Sequence, residues 1–247
     1  MKIIAIIPAR FASQRLHAKP LADILGKTMI ERVYLQVKKA KLVDDVFVAT
    51  DDEKIFDVVK DFGGKVIMTP SSIESGSDRI AFASKEIDAD YILNVQGDEP
   101  LIAPELIDEV IELMLKDNKA EVGTAVKKIN SQDEIFNPNI VKAVLDKNSY
   151  ALYFSRSPIP FQRDLIESEW LHNSTFYKHF GIYIYKKEIL NLFSSWQASS
   201  LEKSEKLEQL RFLENGIKIK AVETNCDSVA VDTIEDLEKV RKILLSN

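Results

Sequence analysis

Several features that mark special classes of protein are scarce or absent in this sequence. One cysteine, Cys226, stands among the 247 residues, which excludes an intrachain disulfide and a cysteine-rich metal site. No apolar run approaches the roughly 20 residues that a membrane-spanning helix needs. Met1 and Lys2 lead directly into an apolar segment, without the pattern of a secretory signal. These absences predict a cytoplasmic protein with no membrane partner.

The charge balance lacks the excess of basic residues that nucleic-acid-binding proteins carry. The 33 Lys and Arg residues are outnumbered by 39 Asp and Glu residues, for a net charge of -6. This balance argues against nonspecific nucleic-acid binding, and we expect no nucleic-acid partner. Hydrophobic residues make up 45% and charged residues 29% of the chain, as in an ordinary globular protein. The length suits one large α/β domain, with two smaller domains as the alternative.

The first 21 residues contain neither a G-x-G-x-x-G nor a Walker A sequence, yet they predict a phosphate-binding loop. Ile3–Ile7 is a continuous apolar run, typical of a strand buried on both faces of a parallel sheet. The loop after it carries Arg10, Arg15 and Lys19 among small residues. Open α/β sheets bind ligands at such loops, and this charge suits a polyphosphate. A basic surface loop that binds nothing is the alternative.

The rest of the first half alternates between strand-like and helix-like segments. Continuous apolar runs indicate buried strands, and apolar residues three and four apart indicate helices. Such alternation is typical of an α/β fold, with a mostly parallel sheet and helices on both faces. The predicted segments are a helix at 27–40, a strand at 46–50, a helix at 51–62, a strand at 65–68, a helix from 75 to near 87, and a strand at 91–95.

The second half is less regular and richer in β-like segments. We interpret it as an extension of the same domain that folds over the sheet as the second wall of a cleft, with a separate domain as the alternative. The parts would span about 1–130, about 131–215 and about 216–247, the last returning to the main sheet. Predicted strands are at 122–128, 141–145, 151–154, 176–185 and 217–222, and predicted helices at 187–193, 206–215 and 233–245.

Two acids stand where a metal-bound nucleotide would meet the sheet. Asp98 follows a buried strand directly, with Gly97 before it and Pro100 after it. Asp232 follows a short apolar segment. Mg²⁺ usually takes one or two protein carboxylates together with phosphate oxygens and waters. The alternatives are an exposed turn aspartate for Asp98 and a helix cap for Asp232.

Other polar residues are open to two interpretations each. Lys19 and Arg10 beside such a metal site would stabilise charge that develops during phosphoryl or nucleotidyl transfer. Arg156 is expected to reach an anion or to form a structural ion pair. His179, in an aromatic β segment, is more often packed than catalytic. The residues alone thus predict an α/β enzyme that handles a nucleotide or phosphate with Mg²⁺.

Seven ordered motifs, spread over nearly the whole chain, resemble those of the sugar-acid cytidylyltransferases. The first is Pro8-Ala9-Arg10-x-x-Ser13-x-Arg15-Leu16-x-x-Lys19-Pro20-Leu21. The others are Ser75-Gly76-Ser77-Asp78-Arg79, Asn94-Val95-Gln96-Gly97-Asp98-Glu99-Pro100, Phe154-Ser155-Arg156-Ser157-Pro158-Ile159-Pro160, Lys178-His179-Phe180-Gly181-Ile182-Tyr183, Leu207-Glu208-Gln209-Leu210-Arg211 and Val231-Asp232-Thr233-x-Glu235-Asp236-Leu237.

The resemblance is to the members of this family that use 3-deoxy-manno-octulosonate (Kdo) as acceptor. It implies a Rossmann-like nucleotidyltransferase fold, with the irregular part forming the sugar wall and the contact of a homodimer. It also implies a reaction for lipopolysaccharide biosynthesis, in which CTP and Kdo give CMP-Kdo and pyrophosphate. Related acceptors, 8-amino-Kdo or a sialic acid-like sugar acid, are the alternative, and a non-catalytic nucleotide-binding module is a third hypothesis.

The resemblance also implies a role for each motif residue. Lys19, Arg10 and Asp98 would be catalytic, and Asp98 and Asp232 would bind Mg²⁺. The residues expected to bind the nucleotide are Pro8, Ala9, Arg10, Ser13, Arg15, Lys19, Ser75, Asp78, Arg79, Gln96 and Gly97. The residues expected to bind the sugar are Gln96, Arg156, His179, Tyr183, Glu208 and Gln209.

Three positions depart from the family pattern without removing a charged group. His17-Ala18 stands where the family usually shows Pro-Gly, so the loop before Lys19 is expected to be less tightly preset. Ser77 replaces a more frequent threonine and keeps the hydroxyl. Ala230 stands where a glycine usually precedes the Asp232 position by two, so the backbone beside Asp232 is expected to differ.

Overall fold

The computed structural model describes residues 1–11, 16–73 and 75–246, which form two compact units. The first unit comprises Met1–Asp108, Tyr185–Ser194 and Cys226–Asn247, and the second comprises Glu109–Ile184 and Ser195–Asn225. Each unit is built from separated stretches of the chain. The prediction that the chain acts as one nucleotidyltransferase domain stays a prediction.

Strands and helices alternate through the first unit and become irregular in the second. The strands are β1 (Ile3–Ala9), β2 (Asp23–Ile24), β3 (Lys27–Thr28), β4 (Asp45–Thr50), β5 (Lys65–Met68), β6 (Tyr91–Asn94), β7 (Val122–Lys128), β8 (Lys142–Leu145), β9 (Ala151–Ser155), β10 (Tyr177–Lys186) and β11 (Ile219–Glu223). The α-helices are α1 (Met29–Val37), α2 (Glu53–Asp61), α3 (Gly76–Ser84), α4 (Pro104–Lys116), α5 (Gln132–Phe136), α6 (Trp170–Asn173), α7 (Lys187–Phe193), α8 (Ser200–Glu205), α9 (Gln209–Glu214) and α10 (Ile234–Ser246).

The first unit is organised around β1, whose apolar run lies in the middle of a parallel sheet. β1 pairs in parallel with β4 on one side and β6 on the other, and β5 continues the sheet beyond β4. Ile6 of β1 stands opposite Phe47 and Asn94. Residues 4 to 7 are at most 1% exposed, because a parallel sheet in an α/β fold is covered on both faces. The predicted mostly parallel α/β sheet is confirmed.

The second unit combines parallel and antiparallel pairing. β7 and β11 are parallel, whereas β8 lies antiparallel to both β9 and β10. A small apolar cluster around Trp170 and Phe176, whose rings stack with centroids 5.8 Å apart, packs against α5 and the end of β7. The β-rich pattern of this half is therefore confirmed.

Some helices differ from the sequence expectation. The helix predicted at 206–215 is α9, which begins at Gln209, and the short helix α8 before it was not predicted; α8 ends just before Lys206, which adopts a left-handed conformation with φ of 55°. Ser199 and Glu202 form a capping box that starts α8. The long helix α4 was missed, although Pro104 at its first position and Glu105 in its first turn are ordinary start signals.

None of the helices in the described part of the chain is both long enough and apolar enough to span a bilayer.

Candidate active site

Lys19 is held by a short 3-10 helix, Lys19–Leu21, that follows the loop after β1. Pro20 is buried and fixes the backbone at the start of this turn. Ala18, just before it, adopts the left-handed conformation with φ of 51° and ψ of 35°. Glycine adopts this conformation without steric cost, whereas alanine does not. Ala18 therefore stands at a position whose backbone geometry favours glycine, the residue that is usual there in the family.

The Lys19 ammonium group lies between the two acids that the sequence singled out. Its Nζ atom is 2.6 Å from Oδ2 of Asp98 and 3.0 Å from Oδ1 of Asp232. It also donates to the carbonyl oxygen of Val231 at 3.0 Å. Burial lowers the pKa of Lys19, but the two carboxylates outweigh that effect and raise it above the ordinary value. Lys19 is thus a cation at neutral pH.

Asp98 and the segment before Asp232 are joined through the backbone. The Val231 amide donates to the Asp98 carbonyl oxygen at 2.9 Å, which fixes the two acidic turns side by side. Val231 is fully buried, in a cluster with Ile24, Met29 and Val240. This apolar contact packs the start of α10 against β2 and α1, and it thereby brings the two carboxylates together.

Gly97 sets the position of Asp98 relative to the end of β1. A Cβ atom at residue 97 would lie 2.7 Å from the carbonyl oxygen of Pro8. Such a distance is too short for a nonbonded contact, so any side chain here would push the two backbone segments apart. Gly97 was expected to bind the nucleotide, which stays a prediction, and the structure shows that its backbone packs closely on Pro8.

The capping alternative for Asp232 is not supported by the first turn of α10. Thr233 Oγ1 accepts from the Asp236 amide at 3.2 Å. The Asp236 carboxylate in turn accepts from the amides of Asp232 and Thr233. Thr233 and Asp236 therefore cap this helix, and the Asp232 carboxylate is directed to Lys19 instead.

A third acid, Glu99, lies beside the pair and was not singled out from the sequence. Glu99 is 9% exposed, and its Oε2 atom accepts from the Ser228 hydroxyl at 2.6 Å. Burial raises the pKa of Glu99 to about 7, and the nearby Asp98 charge adds to that rise. In the sequence, the only indication of a role for Glu99 was its position next to Asp98.

The other nucleotide motif residues of the first unit fall into local groups. Pro8 and Ala9 end β1 and Arg10 follows directly. Ser75 caps α3 by accepting from the Asp78 amide at 2.9 Å, and its hydroxyl donates to the Asp78 carboxylate at 2.8 Å. Gln96 Nε2 donates to the buried Asn94 side chain at 3.0 Å. Ser13 and Arg15 lie outside the described residues.

Arg79 occupies the interior of the first unit. The residue is 0% exposed, and its guanidinium group donates to Asp51 Oδ2 at 2.8 Å and to the Ile73 carbonyl at 2.9 Å. It also donates to Thr69. These contacts tie β4 and the loop after β5 to α3. A nucleotide contact for Arg79 stays a prediction, and the observed role is structural.

In the second unit, Arg156 bonds to backbone carbonyls rather than to an acid. Its Nε donates to the Glu205 carbonyl at 2.8 Å, and a terminal nitrogen donates to the Pro138 carbonyl at 3.0 Å. Within residues 1–11, 16–73 and 75–246, no carboxylate forms an ion pair with this guanidinium. The alternative of a structural ion pair is therefore wrong for the described chain, and an anion contact for Arg156 stays a prediction.

Lys142 lies beneath Arg156 and was missed from the sequence. It is 0% exposed, and its ammonium donates to the carbonyl oxygens of Asn137, Ile140 and Arg156 at 2.9, 2.6 and 2.6 Å. Burial and the Arg156 charge lower the pKa of Lys142. The sequence held one clue to it, a lysine inside the apolar segment that forms β8. A cation buried there needs hydrogen-bond partners such as these carbonyl oxygens.

His179 stands among aromatic rings on β10. The Phe154 ring meets the imidazole edge-on at 4.9 Å between centroids, and the Tyr183 ring lies 5.3 Å away. The buried hydroxyl of Thr124 is 3.0 Å from His179 Nε2. Burial of the ring lowers the pKa of His179 to about 3, although part of the residue's surface is accessible. In the sequence, nothing pointed to a role for Thr124 except that it places a hydroxyl group within an apolar strand.

The remaining sugar-motif residues begin α9. Glu208 is the residue before the helix and is half-buried, whereas Gln209 is its first residue and is 6% exposed. Gln209 is therefore packed inside the second unit and is not part of a solvated helix face. Gln96 belongs to the first unit, and Arg156, His179, Tyr183, Glu208 and Gln209 belong to the second.

Among the described residues, the side chains that could bind a metal at this site are the carboxylates of Asp98 and Asp232. No group of three or more His, Cys, Asp or Glu side chains is arranged to hold a metal ion within the residues described. Asp98 and Asp232, however, already share one cation, the Lys19 ammonium. Two convergent carboxylates, with the other positions taken by phosphate oxygens and waters, fit the ligand preference of Mg²⁺.

Comparison with known proteins gives one consistent result. Residues 4–219 match the family model described as "Cytidylyltransferase". Proteins named 3-deoxy-manno-octulosonate cytidylyltransferase from Thermodesulfovibrio yellowstonii and Chloroherpeton thalassium are 50% and 48% identical, each over 99% of this chain and 98% of its own length. A solved CMP:2-keto-3-deoxy-manno-octonic acid synthetase complexed with CTP is 40% identical, with a TM-score of 0.93 over 100% of this chain and 99% of its own. The chain belongs to the cytidylyltransferase family.

Proposed function

We propose that this protein transfers CMP from CTP to Kdo, giving CMP-Kdo and pyrophosphate for lipopolysaccharide synthesis. The observation that carries the proposal is the Lys19 ammonium between the Asp98 and Asp232 carboxylates, at the carboxyl end of the parallel sheet. Ligands of open α/β sheets bind at this edge. The relatives at about 50% identity over nearly the full chain support Kdo as the acceptor.

The transfer is an in-line displacement at the α-phosphorus of CTP. The anomeric hydroxyl oxygen of Kdo forms a bond to this phosphorus and loses its proton, while the bond to the bridging oxygen of the β-phosphate breaks. Pyrophosphate leaves with the electron pair. Lys19 and Arg10 would stabilise the charge that develops on the phosphoryl oxygens, and such stabilisation supplies much of the rate enhancement in reactions of this kind.

Asp98 and Asp232 are the residues that would hold Mg²⁺. The chemistry that the ion would supply at these two residues is stabilisation of phosphate charge and easier ionisation of the attacking hydroxyl. The chain's own contribution is to hold the two carboxylates together through the Val231 amide and the apolar cluster behind it. Triphosphate binding by Ser13 and Arg15, and a place beside the nucleotide for Ser75 and Asp78, belong to the same proposal.

The sugar acid would be recognised by the second unit. Its carboxylate would pair with Arg156, whose guanidinium group has carbonyl partners but no acid in the described chain. His179, Tyr183, Glu208 and Gln209 would contact the polyol part. These residues provide both apolar ring surface and hydrogen-bonding groups, as a sugar site requires.

A homodimer in the cytoplasm completes the proposal. Leu152, Phe161 and Ile166, all from the second unit, are 61%, 76% and 68% exposed. Large apolar side chains exposed on β9 and in the segment that follows it favour an interface between copies of the chain. Light scattering coupled to size exclusion tests this: we expect a dimer mass for the natural chain and a monomer for a Phe161→Glu, Leu152→Lys variant.

Pyrophosphate release with each of the four nucleoside triphosphates, in the presence of Kdo and Mg²⁺, tests the reaction. Release with CTP alone is the expected result. Repeating the assay with 8-amino-Kdo and a sialic acid in place of Kdo tests the acceptor. Equal or greater kcat/KM with either of those sugars would overturn the choice of Kdo, and no release with any combination would overturn the reaction.

A further inference from the structure

Thr124 makes an unusual set of contacts for a buried hydroxyl. The residue is 0% exposed on β7, and its Oγ1 atom lies 2.8 Å from the Ile182 carbonyl oxygen and 3.3 Å from that of Phe180. The same atom is 3.0 Å from Nε2 of His179. Three possible hydrogen-bond partners thus surround a hydroxyl that has a single proton to donate.

The two carbonyl oxygens decide where that proton goes. A carbonyl oxygen only accepts hydrogen bonds, so the Thr124 hydroxyl must donate toward Ile182 and Phe180. If it donated to His179 instead, its oxygen would face two buried carbonyl oxygens with no proton between them, and such unpaired polar contacts are costly. Toward His179 the hydroxyl is consequently an acceptor, and Nε2 must carry a hydrogen.

We infer that Thr124 is a positioning residue that holds His179 as the neutral Nε2–H tautomer and thereby leaves Nδ1 as a hydrogen-bond acceptor for a hydroxyl group of the sugar substrate. This inference rests on the proposed function. It deepens that function by naming the group that His179 recognises.

The surroundings of His179 agree with this assignment. Burial keeps the imidazole neutral, because it lowers the pKa to about 3. Phe154 and Tyr183 contact the ring through their aromatic faces and edges. No residue of the described part of the chain hydrogen-bonds Nδ1.

The tautomer assigns different parts of the substrate to different residues. A lone pair on Nδ1 repels a carboxylate and attracts a hydroxyl proton. The substrate carboxylate is thus left for the Arg156 cation, and His179 selects a sugar hydroxyl. A cationic imidazole, by contrast, would have bound the carboxylate and reversed the orientation of the sugar.

Histidine tautomers can be read directly, since the chain has only three histidines. In the ¹⁵N-histidine-labelled protein, long-range ¹H–¹⁵N spectra distinguish the Nε2–H tautomer, the Nδ1–H tautomer and the imidazolium ion. A His179→Gln variant identifies the signal of His179. We expect the Nε2–H pattern at pH 7 and unchanged at pH 5. The Nδ1–H or imidazolium pattern in the natural protein would overturn the inference.

Variants then connect the tautomer to the sugar. Thr124→Val removes the acceptor with little change of shape, and we expect mixed tautomers and a KM for Kdo raised about tenfold, with kcat and the KM for CTP within about twofold. Thr124→Ser should restore both the spectrum and KM. Thr224→Val, at another buried threonine of the second unit, is the matched control.

Each outcome separates this inference from the proposed function. An unchanged tautomer and KM in Thr124→Val would contradict the role of Thr124 even if the enzyme uses CTP and Kdo as proposed. Absence of pyrophosphate release in the natural protein would overturn the reaction, whereas its spectrum would still decide the tautomer. If Thr124→Val fails to fold, the spectrum of the natural protein remains the deciding measurement.

Discussion

The Nζ atom of Lys19 lies 2.6 Å from Oδ2 of Asp98, although 79 positions separate the two residues in the chain. Asp232 completes the arrangement at 3.0 Å from the same ammonium. A lysine between two acids offsets one of their two negative charges in the absence of a ligand and can stabilise phosphoryl charge when a nucleotide is bound. The site thus keeps its acids together without leaving two like charges unpaired.

Asp98→Asn should reduce kcat by about two to three orders of magnitude, because the amide keeps the shape but loses the charge that a metal requires. Asp98 is partly exposed, so we expect the free energy of unfolding to change by only about 1 kcal/mol. Steady-state pyrophosphate release and chemical denaturation measure the two effects. The matched control is Asp88→Asn, at an exposed acid paired with Lys2. Normal turnover in Asp98→Asn would rule out the metal assignment.

Lys19→Ala should lower kcat by about a hundredfold or more, with a smaller rise in the KM for CTP. The reason is that an ammonium acting on developing charge stabilises the transition state more than bound substrate. Lys27→Ala, which removes an exposed lysine paired with Glu31, is the control. A pure loss of CTP affinity at unchanged kcat would instead make Lys19 a ground-state clamp.

Ala18→Gly should stabilise the loop before Lys19. Alanine at φ of 51° is in the left-handed region, which costs an L-residue about 1–2 kcal/mol, partly offset by the greater flexibility of glycine when unfolded. We expect a net gain of roughly 0.5–1 kcal/mol in the free energy of unfolding. Ala22→Gly is the matched control, since Ala22 has φ of -59° and should lose stability. Destabilisation in both variants would contradict the prediction.

Gly97→Ala should destabilise the protein by about 1–3 kcal/mol, because the new methyl would lie 2.7 Å from the Pro8 carbonyl oxygen. Displacement of residue 97 should also separate Asp98 from Lys19 and lower turnover. Gly76→Ala provides the comparison, since its nearest neighbour, a Pro8 side-chain carbon, is 3.8 Å away. Equal unfolding midpoints for the two variants would show that the chain relaxes around residue 97.

The buried Glu99 should make stability depend on pH. Its pKa is raised to about 7 from an ordinary value of 4.5, so the folded state keeps a proton that the unfolded state loses as pH rises. Its contribution is full below pH 4.5 and declines through pH 7, by up to about 3 kcal/mol.

Denaturation from pH 4.5 to 8 in metal-free buffer measures this effect as the difference between the natural protein and Glu99→Gln. The difference should shift in favour of the glutamine variant as pH rises. The exposed Glu86→Gln variant should show no such trend. A constant difference across the range would contradict the pKa assignment.

The sequence allowed prediction of those features that depend on local patterns. The apolar run of β1 and the acids after β6 and before α10 sufficed to predict a parallel sheet with Lys19, Asp98 and Asp232 at its edge. The short helix α8 and its end just before Lys206 were not predicted, because a single left-handed residue leaves no mark on the apolar spacing.

Residues that act through buried polar contacts were also beyond prediction. Thr124 and Lys142 are ordinary members of apolar strands in the sequence, and their importance comes from carbonyl oxygens that other segments bring to them. Arg79 shows the opposite case: the motif indicated a ligand contact, whereas Asp51 and Thr69 engage its guanidinium inside the protein.

The amine of Lys142 has a consequence for chemical labelling. Three backbone carbonyl oxygens surround it and no part of the residue is exposed, so an acylating reagent cannot reach its nitrogen while the second unit is intact. Modification at this lysine would therefore require opening of the strand that carries it. Its rate of acylation, read by mass spectrometry beside that of exposed lysines, would report how often this unit opens in solution.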